Sequence, residues 1–243
     1  MSRTLAVSVI CATTAIGVAG CSDDTSSDQP FQGQNADQVA AKAVTATRDA
    51  TSMRMAGKLS AQGQPLTVDF HVDTRKNCKG RMAMRSGSAD VIHTGQATYV
   101  KGDDKFWAGA AGNSAGGQKQ ARALSGRWVK VPVGDSRTTG FCDKQGFLAD
   151  LDSDKSERKG MTKGDVTTVD GRKAVPLKKK KGSGETITMY VAAEGKPYIL
   201  KLDQSGGKTP GTVVFSDYEK PVKATPPPAG QVVDGTKAGK TAS

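Results

Sequence analysis

A strict alternation of apolar and polar residues between positions 66 and 73 constrains the fold more than any other stretch of the chain. Leu66, Val68, Phe70 and Val72 fall on one side of an extended segment, and polar residues occupy the positions between them. Successive side chains of a strand point to opposite faces, so this segment is predicted to be a half-buried strand. A sheet of such strands must cover its apolar face with helices or close upon itself.

Similar short segments recur along the chain and are separated by turn residues. We predict further strands at 52–58, 78–84, 88–93, 97–101, 105–108, 127–131, 165–170, 172–178, 185–192, 197–203 and 212–218. Short connections favour antiparallel neighbours, and Gly-containing turns such as Asp170-Gly171 suit hairpins. Helical periodicity begins after Asn35, with Gln38 in a capping-box position, and continues to about Asp49. Helical pieces are also expected at 118–124 and 140–151, which predicts an α+β fold with one large antiparallel sheet.

The first twenty-one residues have the composition of an export signal. Arg3 is followed by a mostly apolar run to Val18, and Ala19 and Gly20 precede Cys21. The stretch resembles the bacterial lipoprotein signal, in which the cysteine is lipidated and the signal is cut just before it. That resemblance implies that Cys21 carries a lipid anchor on the extracytoplasmic face of the cell membrane. The alternative is an ordinary cleaved signal with a fortuitous cysteine.

Composition divides the rest of the chain into a tether, a domain and a tail. Residues 1–20 are the predicted signal peptide, and the polar stretch 21–34 is a flexible tether. Residues 35–234 are predicted to form one domain, and the polar tail 235–243 to be disordered.

Two cysteines remain once Cys11 leaves with the signal and Cys21 carries lipid. In an oxidising compartment Cys78 and Cys142 most simply pair in a disulfide. A zinc site is the weaker alternative, because neither cysteine belongs to a Cys-x-x-Cys pair and the chain has only 2 histidines. We therefore predict no metal site.

The chain is strongly basic, with a net charge of +11. Such a protein is drawn to an anionic lipid surface or wall polymer, and the lysine run 178–181 is the densest candidate contact. The predicted compartment argues against nucleic acid as a partner.

Residues 112–116 match the Gly-x-Ser-x-Gly pattern of a nucleophile elbow around Ser114. That motif needs a strand before the serine, a helix after it and a histidine downstream. Both His71 and His93 precede Ser114, and the surrounding residues are small, so we predict neither catalysis nor a cofactor.

Several stretches together resemble the actinobacterial lipoprotein family of LppX and LprG, within the wider LolA-like group. The resemblance rests on segments 18–21, 36–53, 91–101, 106–107, 126–131 and 215–222. It implies a half-barrel of antiparallel strands with helices packed on its concave face. Members of the family are implicated in carrying lipids or glycolipids between sheet and helices. The internal Cys78 and Cys142 and the many Gly and Lys residues depart from the mycobacterial members.

If the resemblance extends to function, the apolar face of the sheet lines a ligand cavity. The candidate lining residues are Leu66, Val68, Phe70, Val72, Met82 and Met84. Methionine adapts well to irregular ligands, which suits a lipid site. The same residues could instead form a filled core. The sequence thus predicts a membrane-anchored lipoprotein that binds a lipid or other apolar ligand, or a non-enzymatic structural lipoprotein at the membrane–wall interface without a ligand.

Overall fold

The computed structural model describes residues 30–61, 63–112, 114–131, 140–153, 158–182 and 184–235. The helices within these residues are α1 (Ala36–Asp49), α2 (Asp104–Ala111), α3 (Ala115–Leu124) and α4 (Lys144–Ser153), and 3-10 turns lie at Gly140–Cys142 and Ala229–Gln231. The strands are β1 (Ser52–Ala61), β2 (Gln64–Asp73), β3 (Asn77–Met84), β4 (Gly87–Thr94), β5 (Thr98–Gly102), β6 (Trp128–Val131), β7 (Thr162–Lys163), β8 (Thr167–Val169), β9 (Arg172–Lys180), β10 (Thr186–Ala192), β11 (Ile199–Ser205), β12 (Gly211–Ser216) and β13 (Val232–Asp234).

All the strands belong to one sheet. Its order is β13-β6-β5-β4-β3-β2-β1-β12-β11-β10-β9-β7, with β8 also paired to β9. Neighbours are antiparallel except β13 and β6, which run parallel. The predicted α+β class with a large antiparallel sheet is therefore confirmed, and the parallel β13–β6 pair is an addition to it.

Helix α1 forms where the periodicity predicted it. Asn35 accepts a hydrogen bond from the Gln38 amide, and the Gln38 side chain accepts one from the Asn35 amide, which completes a capping box. The buried face is built of small residues, so the helix can lie close to β10 and β11. The buried residues are Ala36, Val39, Ala40, Ala43, Val44 and Thr47.

The predicted strand at 105–108 is wrong, because this segment is part of helix α2. Asp103 has an extended backbone, and its carboxylate accepts a hydrogen bond from the Phe106 amide at 2.8 Å. An aspartate N-cap of this kind satisfies an amide that the first helical turn leaves without a partner. The Asp103 cap therefore starts a helix where the sequence predicted a short strand.

The helices reach the sheet from one side, which we call the inner face. Helix α1 contacts β10 and β11, while the 3-10 turn at Gly140–Cys142 contacts β2 and β3. Helix α4 packs against α1 and that turn, and α2 contacts β4 and β5. Within the described residues, none of the helices is both long and apolar enough to cross a membrane.

The predicted signal peptide 1–20 and most of the tether 21–34 lie outside the described residues, as does nearly all of the tail 235–243. The domain boundaries therefore stay predictions.

Candidate ligand-binding face

The predicted lining residues lie together on the inner face. The register of β2 with β3 sets Leu66 opposite Met84 and Val68 opposite Met82. In the same register, Phe70 lies opposite Gly80 and Val72 opposite Cys78. Side chains of directly opposed residues share a face, so the two strands present one continuous apolar surface.

Burial of this surface changes along the strands. Phe70 and Val72 are 0% exposed, and Val68 and Met82 are each 3% exposed. Leu66 is 6% exposed, whereas Met84, the last residue of β3, is only half-buried. The face is thus closed over Phe70 and Val72 and more open towards Met84.

The closed end is covered by the 3-10 turn, which a disulfide holds against β3. Cys78 and Cys142 are bonded, with 5.2 Å between their Cα atoms, as the cysteine count predicted. The adjacent Phe141 ring stacks on Phe70, with 5.4 Å between the ring centroids. A Cβ atom at Gly80 would lie 2.3 Å from the Phe70 ring, so glycine is required beside that ring.

The open end forms an apolar rim, which we define as Leu59, Met84, Phe106 and Trp107. All four are half-buried and packed against the core. Leu59 lies opposite Leu66, which itself lies opposite Met84, so one row of side chains crosses β1, β2 and β3. Helix α2 brings its two aromatic residues to the end of this row.

Trp107 has an unusual environment within the rim. Its indole N–H is shielded from water and has no hydrogen-bond partner in the described parts of the chain. A shielded donor without an acceptor costs about 1–3 kcal/mol. The N–H lies against β5, since a Cβ atom at Gly102 would be 2.9 Å from the indole nitrogen.

None of the residues of helix α2 is fully buried. It packs against α3 and rests on β4 and β5. A Cβ atom at Gly102 would lie 2.3 Å from the Phe106 ring, so the small residue in β5 lets the helix approach the sheet.

His93 and Lys144 are among the titratable side chains buried near the closed end. His93 lies opposite Cys78, and its Nδ1 is 2.7 Å from the Thr98 hydroxyl. Burial lowers the pKa of His93, which favours the neutral imidazole. Lys144 is 1% exposed, and its Nζ donates to the Arg48 carbonyl oxygen at 2.6 Å, at the C-terminal end of α1. Burial also lowers the pKa of Lys144.

The residues of the possible nucleophile elbow have other roles. The Ser114 hydroxyl accepts a hydrogen bond from the Gly117 amide at 3.1 Å and caps α3. His71 is exposed on β2, and His93 on β4 is buried and lies within hydrogen-bond distance of Thr98.

Over the part of the chain that is described, no three His, Cys, Asp or Glu side chains are grouped as metal ligands.

The lysine run forms the end of β9 and the turn after it. Lys178 is exposed, and Lys181 pairs with Glu185 at 3.1 Å. The run therefore presents positive charge at one hairpin, part of which is balanced by a neighbouring carboxylate.

Sequence reasoning missed Lys144 and the two aromatic residues of α2. Lysine is rarely buried, so Lys144 gave no local signal. The aromatic pair at 106–107 was part of the family resemblance but was assigned to a strand. Asp103 as an N-cap residue, followed by the acidic Asp104 in the first turn, was a usable helix-start signal.

Comparison with known proteins supports the architecture. No protein-family model matches the sequence, and no curated protein is significantly similar to it. Among solved structures, LprF from Mycobacterium bovis has a TM-score of 0.55 and 15% identity, covering 79% of this chain and 96% of LprF. The Mycobacterium tuberculosis lipoprotein LppX has a TM-score of 0.49 and 14% identity, covering 77% of this chain and 98% of LppX. The sheet with its helices on one face thus has the fold of LprF, a fold of the kind that the sequence resemblance implies.

Proposed function

We propose that this protein is a lipid-anchored extracytoplasmic lipoprotein that binds a lipid or glycolipid between the inner face of its sheet and its helices. The observation that carries the proposal is the apolar rim of Leu59, Met84, Phe106 and Trp107. Large apolar side chains left half-buried in a row mark a surface that an apolar partner can cover.

The proposed anchor is Cys21, which lies outside the described residues and is supported by the sequence around it. Two acyl chains on that cysteine would hold the domain stably at a membrane. No catalytic step is part of the proposal.

A second candidate is a structural or interaction lipoprotein with a filled core. The burial of Val68, Phe70, Val72 and Met82 favours it, because these predicted lining residues are 0–3% exposed. In that case the rim would be only the edge of the core.

Binding of a fluorescent fatty acid to a matched pair of variants separates the two candidates. Met84→Lys places a charge in the rim, whereas Ala83→Lys places the same charge on the opposite face of the same strand. Both positions are half-buried at the end of β3, and the urea midpoint of each variant shows whether it is folded under the binding conditions. An ammonium group in an apolar site costs several kcal/mol, so we expect Met84→Lys to weaken binding at least about tenfold.

Wild-type protein and Ala83→Lys should bind the probe alike and saturably. Equal binding by both lysine variants would rule out the rim as the ligand site. No saturable binding by the wild type would favour the filled core.

A further inference from the structure

The opposite, outer face of the sheet contains a cavity of about 590 Å³. Strands β2, β3 and β4 form most of it, and Trp128 of β6 completes it. On each strand, the side chains that line this cavity alternate with those that point to the inner face. The cavity is therefore separate from the candidate lipid site, and a ligand could bind in it whether or not the inner face binds lipid.

An apolar surface lies within this otherwise polar face. Ile92 breaks the alternation of β4, because it is 7% exposed although its side chain is on the outer face. Its cross-strand neighbours are Lys79 on β3 and Tyr99 on β5. Together with the half-buried Trp128, Ile92 gives the cavity an aliphatic and aromatic wall.

Two ion pairs fix the charged edge of the cavity. Arg54 donates to both carboxylate oxygens of Asp69, each at 2.7 Å. Arg81 lies 3.6 Å from Asp90 and donates to the Ser88 hydroxyl at 3.0 Å. Bidentate and networked pairs of this kind hold their side chains in defined positions.

Two donors at the same cavity remain available. Lys79 is exposed and has no ion-pair partner among the residues that the structure describes. The exposed His71 lies opposite Lys79 on β2 and makes no hydrogen bond within those residues. Asp69 and Asp90 are already paired with arginines, whereas Lys79 and His71 are not paired. The cavity should therefore prefer a ligand with an acidic group.

We propose that the outer-face cavity binds an acidic saccharide. The sugar ring packs on Trp128 and Ile92, and its carboxylate is bound by Lys79 and His71. An aromatic wall with a few convergent polar groups is typical of a site that orients a ring-shaped polar ligand. A lipid tail does not fit a cavity edged by charged side chains, and a bare anion would not use the aromatic wall. The net charge of +11 adds long-range attraction for such a ligand.

Isothermal titration calorimetry of the purified protein with trigalacturonate, a uronic acid trimer, tests the proposal. We expect saturable binding that weakens at high salt. Lys79→Gln should weaken binding about fivefold, and Trp128→Ala about tenfold. Lys42→Gln makes the same charge change on an exposed face of α1, on the other side of the sheet, and should leave binding unchanged.

Two further ligands define the outcome. Maltotriose, a neutral trimer, should bind more weakly than the acidic one, and inorganic phosphate should not compete at equal concentration. Absence of trigalacturonate binding, or binding that Lys79→Gln and Lys42→Gln reduce equally, would overturn the proposal. Equal affinity for phosphate and for trigalacturonate would also overturn the proposal, because the site would then attract any anion and would not recognise a saccharide. Because Lys79 is exposed, its variant remains informative if Trp128→Ala fails to fold.

Discussion

At the scale of single residues, Glu219 joins three parts of the chain. One carboxylate oxygen accepts hydrogen bonds from the Thr51 amide at 2.9 Å and the Thr51 hydroxyl at 2.6 Å. The other accepts from the Tyr198 hydroxyl at 2.7 Å and from Lys196 at 3.3 Å. The Thr51 hydrogen bonds, followed by that of Tyr198, lower the pKa of Glu219 from 4.5 to about 2. These contacts are strongest when the carboxylate is ionised and both of its oxygens accept.

Stability should therefore fall in acid between about pH 4.5 and pH 2. In that window the unfolded chain takes up a proton that the folded protein resists, so the contribution of Glu219 is complete above pH 4.5 and lost towards pH 2. Glu219→Gln should cost about 1 kcal/mol at pH 7, after allowance for solvent around the partly exposed group, and almost nothing near pH 2.

Urea denaturation at several pH values measures this difference. The matched control is Glu194→Gln, which removes an exposed carboxylate 2.9 Å from Lys173 and should change stability by less than about 0.5 kcal/mol. A cost for Glu219→Gln that does not change with pH would contradict the assignment.

Thr47 makes the buried polar contact between α1 and the sheet. Its hydroxyl accepts a hydrogen bond from the Ile199 amide at 2.9 Å, and Thr47 is 0% exposed. The β10–β11 register shifts between Tyr190 and Val191, next to this position, so the helix supplies an acceptor where the ladder is irregular. Thr47→Val should destabilise the protein by about 1–3 kcal/mol, because it leaves a buried amide without a partner.

The exposed Thr45 of the same helix provides the control. Thr45→Val removes a hydroxyl that faces solvent and should leave the urea midpoint nearly unchanged. If both variants have the same midpoint, the Thr47 hydrogen bond contributes nothing to stability.

At the scale of elements, the disulfide attaches the 3-10 turn and the following α4 to β3. Cys78 and Cys142 are 64 residues apart in sequence. In the chain-entropy treatment, closing a loop of that size stabilises the fold by about 4 kcal/mol. The double variant Cys78→Ala/Cys142→Ala should lose much of that amount and expose Phe70 to solvent.

Urea denaturation with and without reductant gives the comparison. Reduced wild type should unfold near the midpoint of the double variant, and reductant should not change the variant further. A wild-type midpoint that reductant leaves unchanged would show that the turn stays in place without the bond.

The elements that the sequence predicted are those with strong local signals. Helix α1 follows its capping box and small-residue periodicity, and β2 follows the alternation that includes Leu66 and Phe70. Helix α2 was missed because Asp103 was not recognised as its N-cap. The β13–β6 pairing joins Val232 to Trp128, and no local pattern specifies a contact over that sequence distance.

The candidate site was predictable in part, because the alternation along a strand is also a strong local signal. Alternation places Val68 and Met82 on one face, but it does not say how much of that face other elements cover. The half-buried rim depends on where α2 lies, which the sequence had assigned incorrectly. Ile92 and Trp128 lie on the outer face because of strand register, and their cavity emerges only once β3, β4 and β6 are assembled.

At the scale of the whole molecule, the proposed membrane anchor precedes a sheet with two distinct faces. Cys21→Ser removes the thiol that would be lipidated, so the protein should appear in the culture medium instead of the membrane fraction. Cys11→Ser, a change inside the predicted signal, should leave the protein in the membrane fraction. Membrane retention of Cys21→Ser, measured by fractionation and immunoblotting, would refute the anchor.

Native mass spectrometry of protein extracted from its own membrane tests the central claim most directly. We predict a one-to-one adduct whose dissociated mass is that of a lipid or glycolipid, present in wild type and Ala83→Lys and depleted in Met84→Lys. Repeated detection of the protein without an adduct, in preparations that preserve bound lipid in a known carrier, would contradict lipid binding and favour a filled core.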